Sequence, residues 1–91
     1  MEYIIEHDSP AQRFYTTVDG SEAHLDYQVA GYVMDIRHTF VPRPVEGRGI
    51  AAALVRTALE YARSRRWKVL PSCWYAELYL RRHPEYADLS V

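Results

Sequence analysis

The sequence predicts a small α+β domain in which a mixed, mostly antiparallel sheet of about five strands packs against two helices. Over the first forty residues, apolar and polar side chains alternate with a period of two, which is typical of strands with one solvated face. From Gly49 onward the apolar period lengthens to 3.6, as in an amphipathic helix. Because 91 residues can enclose only one small core, we expect a single domain over residues 1–91.

Four strands are expected in the first half of the chain. Tyr3–Glu6 is a short apolar run that fits an edge strand, and Arg13–Val18 alternates before an Asp-Gly turn. Glu22–Val29 alternates more cleanly, and after a second turn a longer strand covers Tyr32–Val41. These segments predict an antiparallel meander.

The second half of the chain predicts two helices joined by a short strand. At about 100° per residue, the apolar side chains of the first helix fall within an arc of roughly 140° and are Ile50, Ala51, Leu54, Val55, Ala58, Tyr61 and Ala62. Trp67–Leu70 is expected to be buried on both faces and to lie parallel to the strand before the helix. Trp74–Arg82 has a helical pattern that Pro84 ends.

Composition and charge restrict the class of protein. The net charge of −1 provides no global field for nucleic acid. Most of the eleven cations lie in the second half, which suits a phosphate-bearing ligand or, equally, an ordinary solvated face. One cysteine excludes an internal disulfide, which fits a reducing compartment. With no apolar run long enough for a bilayer and no signal-peptide pattern, we expect a cytoplasmic protein without a membrane partner.

A glycine loop separates the last meander strand from the first helix and consists of Gly47, Arg48, Gly49, Ile50 and Ala51. Glycine lets the backbone approach a ligand closely and adopt left-handed angles. The first N–H groups of the helix lack intrahelical partners and, together with the helix dipole, attract a diphosphate. The alternative is an ordinary glycine-bearing turn. The loop lacks the third glycine of a dinucleotide fingerprint and the Gly-Lys-Ser/Thr of a P-loop.

Taken with the segments around it, this loop resembles the Gcn5-related N-acetyltransferases (GNAT), and specifically their short, single-domain, YjdJ-like branch. The similarity includes His38-Thr39, Val41-Pro42, the glycine loop, Pro71-x-Cys73 and the run from Tyr79 to Tyr86. It implies a compact GNAT-like sheet, acetyl-CoA or CoA as cofactor, and acetyl transfer to the amine of a small molecule or a protein. The alternative is a CoA-binding or regulatory module without catalysis.

The resemblance also implies which residues bind the cofactor. In the family, an Arg/Gln-x-x-Gly-x-Gly/Ala loop binds the diphosphate, and the matching positions here are Glu46 and Gly47–Ala51. The strand edge formed by Thr39, Phe40 and Val41 would hydrogen-bond the pantetheine arm, and Cys73 would contact the cofactor.

Two residues depart from the family pattern. Glu46 replaces the usual Arg or Gln, and Phe40 replaces the Glu that the short branch has after His-Thr. A carboxylate at the mouth of a diphosphate site is unfavourable if its side chain points inward. In that case we expect Arg43 or Arg48 to compensate.

Cys73 and Tyr79 are candidates for catalysis. Cys73 begins the last helix, where the positive helix end favours a thiolate. It is either a nucleophile that forms an acyl-enzyme or a small buried side chain. By resemblance, Tyr79 protonates the departing CoA thiolate, with Tyr75 one turn earlier as a substitute. The alternative for Tyr79 is an ordinary packing role.

His38 is the third catalytic candidate and is expected on the face of Ile36 and Phe40. It serves either as a base for the amine or as a hydrogen-bond partner of a carbonyl. No two histidines stand at a metal-ligand spacing, so we expect no metal site. Longer family members place acceptor-binding helices after the first strand, where Ser9-Pro10 leaves no room. The acceptor site would then be shallow, or completed by another subunit of a homo-oligomer or by a macromolecular substrate.

Overall fold

The computed structural model describes residues 2–91, which form five strands, two α-helices and two 3-10 helices. The elements in chain order are β1 (Glu6–Asp8), β2 (Arg13–Val18), β3 (Ser21–Ala30), β4 (Val33–Phe40), a 3-10 helix (Arg43–Val45), α1 (Ile50–Ser64), β5 (Lys68–Pro71), α2 (Trp74–Arg82) and a second 3-10 helix (Pro84–Leu89). This arrangement confirms the predicted fold class. Within residues 2–91, no helix is long and apolar enough to cross a membrane.

The strands form one sheet in the order β1-β2-β3-β4-β5. The first four strands are a meander of antiparallel neighbours, and β5 pairs parallel to β4 as predicted. A parallel pair needs a crossover, and α1 provides it. Because β4 and β5 run in the same direction, their carboxyl ends lie at the same end of the sheet. The helices that follow them, α1 and α2, therefore both begin there.

Both helices pack on one face of the sheet. The inward side chains of the strands and helices form one buried cluster that includes Phe14, Leu25, Met34, Ile36, Leu54, Leu59, Val69 and Tyr79. The opposite face of β3 carries polar side chains, of which His24 and Asp26 are partly exposed and Gln28 is exposed. Burial is therefore one-sided, as the alternation in β3 predicts.

Two expectations about the strands are wrong. The edge strand covers Glu6–Asp8 rather than Tyr3–Glu6, because the preceding residues are held to β2 by a side chain: Thr16 Oγ1 donates to the Ile4 carbonyl at 2.8 Å. In β5 only Val69 is fully buried, whereas Lys68 is exposed and Leu70 is 41% exposed. Since both helices cover the same face of the sheet, the outward side chains of β5 remain in contact with solvent.

The buried face of α1 is rotated slightly from the predicted arc. Ala53 and Leu59 are buried, whereas Ala51 and Tyr61 are only partly covered. Helical periodicity alone identifies an apolar stripe, but the neighbouring α2 and the second 3-10 helix decide which of its margins is covered.

A bulge interrupts the pairing of β4 with β3. Tyr27 pairs with Ile36, but the next residue back, Asp26, pairs with His38. Arg37 is therefore the extra residue, with no partner of its own in β3.

The bulge changes which face the end of β4 presents. One extra residue reverses the alternation that follows it, so Thr39 turns inward and His38 and Phe40 turn outward. Ile36 is fully buried, whereas His38 is exposed and Phe40 is 44% exposed. The expectation that His38 shares the face of Ile36 is therefore wrong.

Candidate functional site

The glycine loop turns sharply between the first 3-10 helix and α1. Gly47 has a φ of 80° and Gly49 a φ of 78°, in the left-handed region that favours glycine. A Cβ placed on either residue would meet no atom within 4 Å. The space above the loop is thus open, and a ligand can reach its backbone.

Six successive backbone N–H groups, from Gly47 to Ala52, have no hydrogen-bond partner within residues 2–91. The first bond of the helix joins the Ala53 N–H to the Gly49 carbonyl at 3.1 Å. Four of the six donors, from Gly49 to Ala52, are those that any helix start leaves unpaired, and the other two belong to the loop before it. Successive N–H groups at the positive end of a helix dipole form a site for an anion such as a diphosphate.

A cleft of about 380 Å³ opens over this loop. Its lining consists of Val41, Glu46, Gly47, Gly49, Ile50, Ala51, Ala52 and Tyr75. The first six of these residues were expected to bind cofactor, and the structure adds Ala52 and Tyr75. Glu46 is exposed to solvent although it belongs to the lining.

Arg48 is directed away from the cleft. Its guanidinium forms a salt bridge with Asp19 at 2.6 Å, in the turn between β2 and β3. Its carbonyl accepts a hydrogen bond from the Tyr3 hydroxyl at 2.6 Å. Tyr3 and Asp19 therefore hold the loop from outside, and Arg48 is not part of the cleft lining.

The strands β4 and β5 separate next to the cleft. Their pairing ends at Ile36 and Pro71, where the Cys73 N–H donates to the Ile36 carbonyl at 2.9 Å. Beyond this point β4 pairs only with β3 in the described part of the chain, which leaves its other edge open. The half-buried Cys73 lies at this opening, and its thiol donates to Thr39 Oγ1 at 3.5 Å. The inward turn of Thr39 that makes this contact is a consequence of the bulge.

Tyr75 and Tyr79 lie one helical turn apart on α2. The Tyr79 ring is buried and stacks on His83, with centroids 3.8 Å apart and an interplanar angle of 14°. His83 Nδ1 donates to the Tyr79 carbonyl at 2.8 Å, which fixes the position of the imidazole. Burial raises the pKa of both tyrosines, and the positive charges of Arg56 near Tyr79 and Arg82 near Tyr75 oppose it.

A second cavity of about 220 Å³, which we call the arginine cavity, adjoins the cleft in the groove between α1 and α2. Its lining consists of Ala52, Arg56, Tyr75, Leu78, Tyr79, Arg82 and His83. Ala52 and Tyr75 line both spaces, so the cleft and the arginine cavity meet at these two side chains. A larger cavity of about 540 Å³ lies against β2, and its lining includes Tyr3, whose hydroxyl binds the Arg48 carbonyl of the glycine loop.

Comparison with known proteins agrees with this geometry. Residues 13–89 match the family model described as GCN5-related N-acetyl-transferase. The chain belongs to this family. Protein NATD1 of Mus musculus is 34% identical over 83 residues, which are 88% of this chain and 76% of that protein. Protein NATD1 of Danio rerio is 32% identical over 89 residues, 92% of this chain and 81% of that protein.

A solved structure shows the same GNAT fold. The solution structure of a GCN5-like protein from Staphylococcus aureus superposes with a TM-score of 0.78 at 26% sequence identity. The match covers 98% of this chain and 88% of the other. The name of the vertebrate relatives states no activity, so the reaction class of this GNAT chain rests on its family and its site.

The GNAT family generally uses acetyl-CoA, and the residues present here fit that cofactor. The unpaired N–H groups from Gly47 to Ala52 suit a diphosphate. The open edge of β4 offers hydrogen bonds to an amide-bearing arm that ends near Cys73. Glu46 is the least favourable residue for an anionic ligand, because the described residues of the cleft lining include no cation that would offset its carboxylate.

The structure does not bring every predicted GNAT site residue to the cleft. His38 and Phe40 lie on the outer face of the sheet, with their rings 5.9 Å and 5.4 Å from the ring of His24. Phe40 can therefore serve a cofactor only through its backbone. Tyr79 lines the arginine cavity rather than the cleft over the glycine loop.

Some site residues are not evident from the sequence. Ala52 could be found from its place in the first turn of α1, three residues after Gly49, where a small side chain leaves the helix start accessible. The anchors Tyr3 and Asp19 carry no local signal, because they reach the loop only through the folded sheet.

Proposed function

We propose that this protein binds acetyl-CoA in the cleft over the glycine loop and transfers the acetyl group to an amine. The observation that carries the proposal is the row of six unpaired N–H groups at the start of α1, five of which belong to residues that line the cleft. Membership of the GNAT family supplies the reaction class. When bound, acetyl-CoA supplies an activated acyl thioester.

The backbone supplies most of the binding. The N–H groups from Gly47 to Ala52 hold the diphosphate, because charge-assisted hydrogen bonds from oriented donors are strong. The edge of β4 from Thr39 to Val41 binds the pantetheine amides in the way that a sheet edge binds an added strand. Phe40 contributes only main-chain groups, since its side chain lies on the outer face.

Cys73 is the nucleophilic side chain at the end of this path. Its thiol donates to Thr39 Oγ1 at 3.5 Å, next to the open edge of β4. In this position Cys73 either contacts the thioester of the cofactor or accepts the acetyl group as a thioester of its own.

Tyr75 is better placed than Tyr79 to protonate the departing thiolate. Tyr75 lines the cleft over the glycine loop. Tyr79 does not line this cleft, and its ring is stacked on His83. We therefore assign the proton to Tyr75 Oη, with Tyr79 as the supporting side chain behind it.

A second candidate function is a CoA-binding module without catalysis. It is favoured by the outward turn of His38, which removes the predicted base from the cleft. It is favoured also by Glu46, which is the only titratable side chain besides Tyr75 in the lining formed by the described residues.

Two measurements on the full chain decide between these functions. Calorimetry with CoA and acetyl-CoA tests binding, and absence of heat with either ligand would refute both functions. Intact-protein mass spectrometry after incubation with acetyl-CoA tests covalent chemistry: one added acetyl group that is lost in Cys73→Ala supports the acyl-enzyme. Binding without turnover of any amine in a panel, and without acetylation of Cys73, would favour the non-catalytic module.

A matched pair of variants tests which tyrosine protonates the departing CoA thiolate. Tyr75→Phe and Tyr79→Phe each remove one hydroxyl from the same face of α2. We expect Tyr75→Phe to lower turnover about 10²-fold or more with little change in CoA affinity. A larger loss of turnover in Tyr79→Phe would reverse the assignment.

A further inference from the structure

The outer face of the sheet carries side chains that the proposed reaction does not use. Within residues 2–91, both α-helices pack on the inner face and leave the outer face uncovered. Four outward side chains lie side by side, because strand pairing joins each to the next: Glu6 to Tyr15, Tyr15 to His24, and His24 to Phe40. We call these four residues the outer row. At the usual strand spacing of about 4.8 Å, the row is about 14 Å long.

One end of the outer row lies beside the opening between β4 and β5. Phe40 turns outward and is 44% exposed, whereas its neighbour Thr39 turns inward. The hydroxyl oxygen of Thr39 accepts a hydrogen bond from the Cys73 thiol at 3.5 Å. In the proposed function the cofactor approaches Cys73 from the glycine loop. An acceptor that approaches from the uncovered face therefore passes the Phe40 end of the outer row.

The other end of the outer row enters the cavity of about 540 Å³ against β2, which we call the β2 cavity. Tyr15 and Glu6 belong to its lining. The pairing of β1 with β2 ends at Tyr15, so the edge of β2 beyond this residue has no neighbouring strand within residues 2–91. Ile4 also lines the cavity and is 80% exposed. The β2 cavity is thus an open space with apolar surface that a ligand can cover.

The β2 cavity favours a cation. Its lining includes the carboxylates of Glu2 and Glu6 and, among the described residues, no positively charged side chain. Arg13 lies on the same face two residues before Tyr15, but Asp26 already binds it at 2.7 Å. Two carboxylates beside a tyrosine ring attract a positive charge, and the same charges would repel this cavity on a second copy of the chain.

The dimensions of the outer row suit an extended peptide. Four extended residues span about 14 Å, which is the length of the row. A lysine at the Phe40 end can then reach the opening, while a side chain four residues away lies at the β2 cavity. Arginine suits this cavity, because its planar guanidinium pairs with a carboxylate through two hydrogen bonds and stacks on an aromatic ring. A linear polyamine has positive charges but no side chain to fill the cavity.

We propose that the outer row binds an extended segment of a polypeptide acceptor, with a lysine at the opening and an arginine four residues away in the β2 cavity. The inference rests on the proposed function, because it names the class of amine that receives the acetyl group. The exposed ring of Phe40 would pack against the aliphatic part of the lysine side chain. Glu2 and Glu6 would bind the arginine, remote from the transferred acetyl group.

The test measures the Kd of labelled synthetic peptides for the full chain by fluorescence anisotropy. The peptides consist of serine and glycine with one lysine and one arginine. With the arginine four residues from the lysine, in at least one direction, we expect about tenfold tighter binding than with glutamine in its place. An arginine only two residues from the lysine should give no such gain, because it does not reach the β2 cavity. The affinity should also fall as salt is raised.

Substitutions on the protein test each end of the row. Glu2→Gln and Glu6→Gln should each weaken binding of the arginine peptide about two- to fivefold, as for an exposed ion pair, and should leave the glutamine peptide unaffected. Phe40→Ala should weaken binding of both peptides. Glu77→Gln is the matched control, because it removes the same charge from α2, outside the outer row and the β2 cavity. It should change neither Kd.

Calorimetry with CoA on the same proteins separates this inference from the proposed function. If the wild type binds CoA but binds the arginine and glutamine peptides equally, or binds neither, the inference is overturned while CoA binding stands. The same holds if Glu77→Gln weakens binding as much as Glu6→Gln. Spermidine that displaces the arginine peptide at an equal or lower concentration would assign the row to a polyamine and would also overturn it. If CoA does not bind, the proposed function itself is refuted.

Discussion

Replacing Gly49 with alanine should strain the backbone of the glycine loop, and the dihedral angles of Gly49 give the size of the strain energy. Gly49 is the N-cap of α1, with a φ of 78° and a ψ of 15°. An L-residue in this left-handed region costs roughly 1–2 kcal/mol relative to its preferred conformation. The added Cβ meets no atom within 4 Å, so no steric clash is added to that cost.

This conformational cost predicts that Gly49→Ala lowers the Tm of the protein and also weakens its binding of CoA. For a domain of this size, 1–2 kcal/mol corresponds to a fall in Tm of about 5–15 °C. If the loop relaxes to relieve the strain, one or more N–H donors leave the diphosphate, at about 1.5–3 kcal/mol each for a charged acceptor. We therefore expect Gly49→Ala to weaken CoA binding roughly 10- to 100-fold.

Gly31→Ala is the matched control for this variant. Gly31 has a φ of 62° and open space around its Cβ position, but it lies in the turn between β3 and β4, away from the cleft. Thermal denaturation and calorimetry should show a similar fall in Tm for both variants and a loss of CoA binding for Gly49→Ala alone. A Gly49→Ala protein that binds CoA like the wild type would refute the role of the loop.

Three further results are expected. Tyr86→Phe removes the 2.6 Å hydrogen bond to Glu60 and should lower the free energy of unfolding in urea by about 1 kcal/mol; an unchanged midpoint would contradict this role. Tyr3→Phe frees the carbonyl of the glycine loop and should raise the Kd for CoA about two- to tenfold with little change in Tm, whereas equal affinity would show that the anchor is dispensable. Burial lowers the pKa of His7 below 6.5, against the opposing charge of Asp8, so the folded state favours the neutral imidazole. The free energy of unfolding should therefore be highest above pH 6.5 and decrease as the pH falls below it, and His7→Gln should show a shallower decrease.

Most of the fold could be predicted from local pattern. The bounds of β2 and α2 agree with prediction, and those of β3, β4 and β5 differ by at most one residue at each end. Alternation and helical periodicity are properties of neighbouring residues, so one sequence suffices to detect them. The edge strand is the exception, because β1 is only three residues long and its position depends on which residues pair with β2.

The glycine loop could be predicted for the same reason. Gly47 and Gly49 stand directly before a strong amphipathic pattern, and the unpaired N–H groups follow from the start of any helix. Of the two arginines expected to offset an inward-pointing Glu46, Arg43 and Arg48, the second is bound by Asp19, which lies in a turn 29 residues earlier in the chain. Such a partner is chosen by the folded sheet rather than by the loop.

The sequence by itself determined the order of strands and helices, the glycine loop before α1 and the position of Cys73 at the start of α2. The tertiary structure decided the rest of the site. The bulge at Arg37 turned Thr39 towards Cys73 and His38 away from it, and the packing of α1 against α2 brought Arg56 and Arg82 into the lining of one cavity. Strand register and helix packing depend on contacts between distant residues, and no local pattern records them.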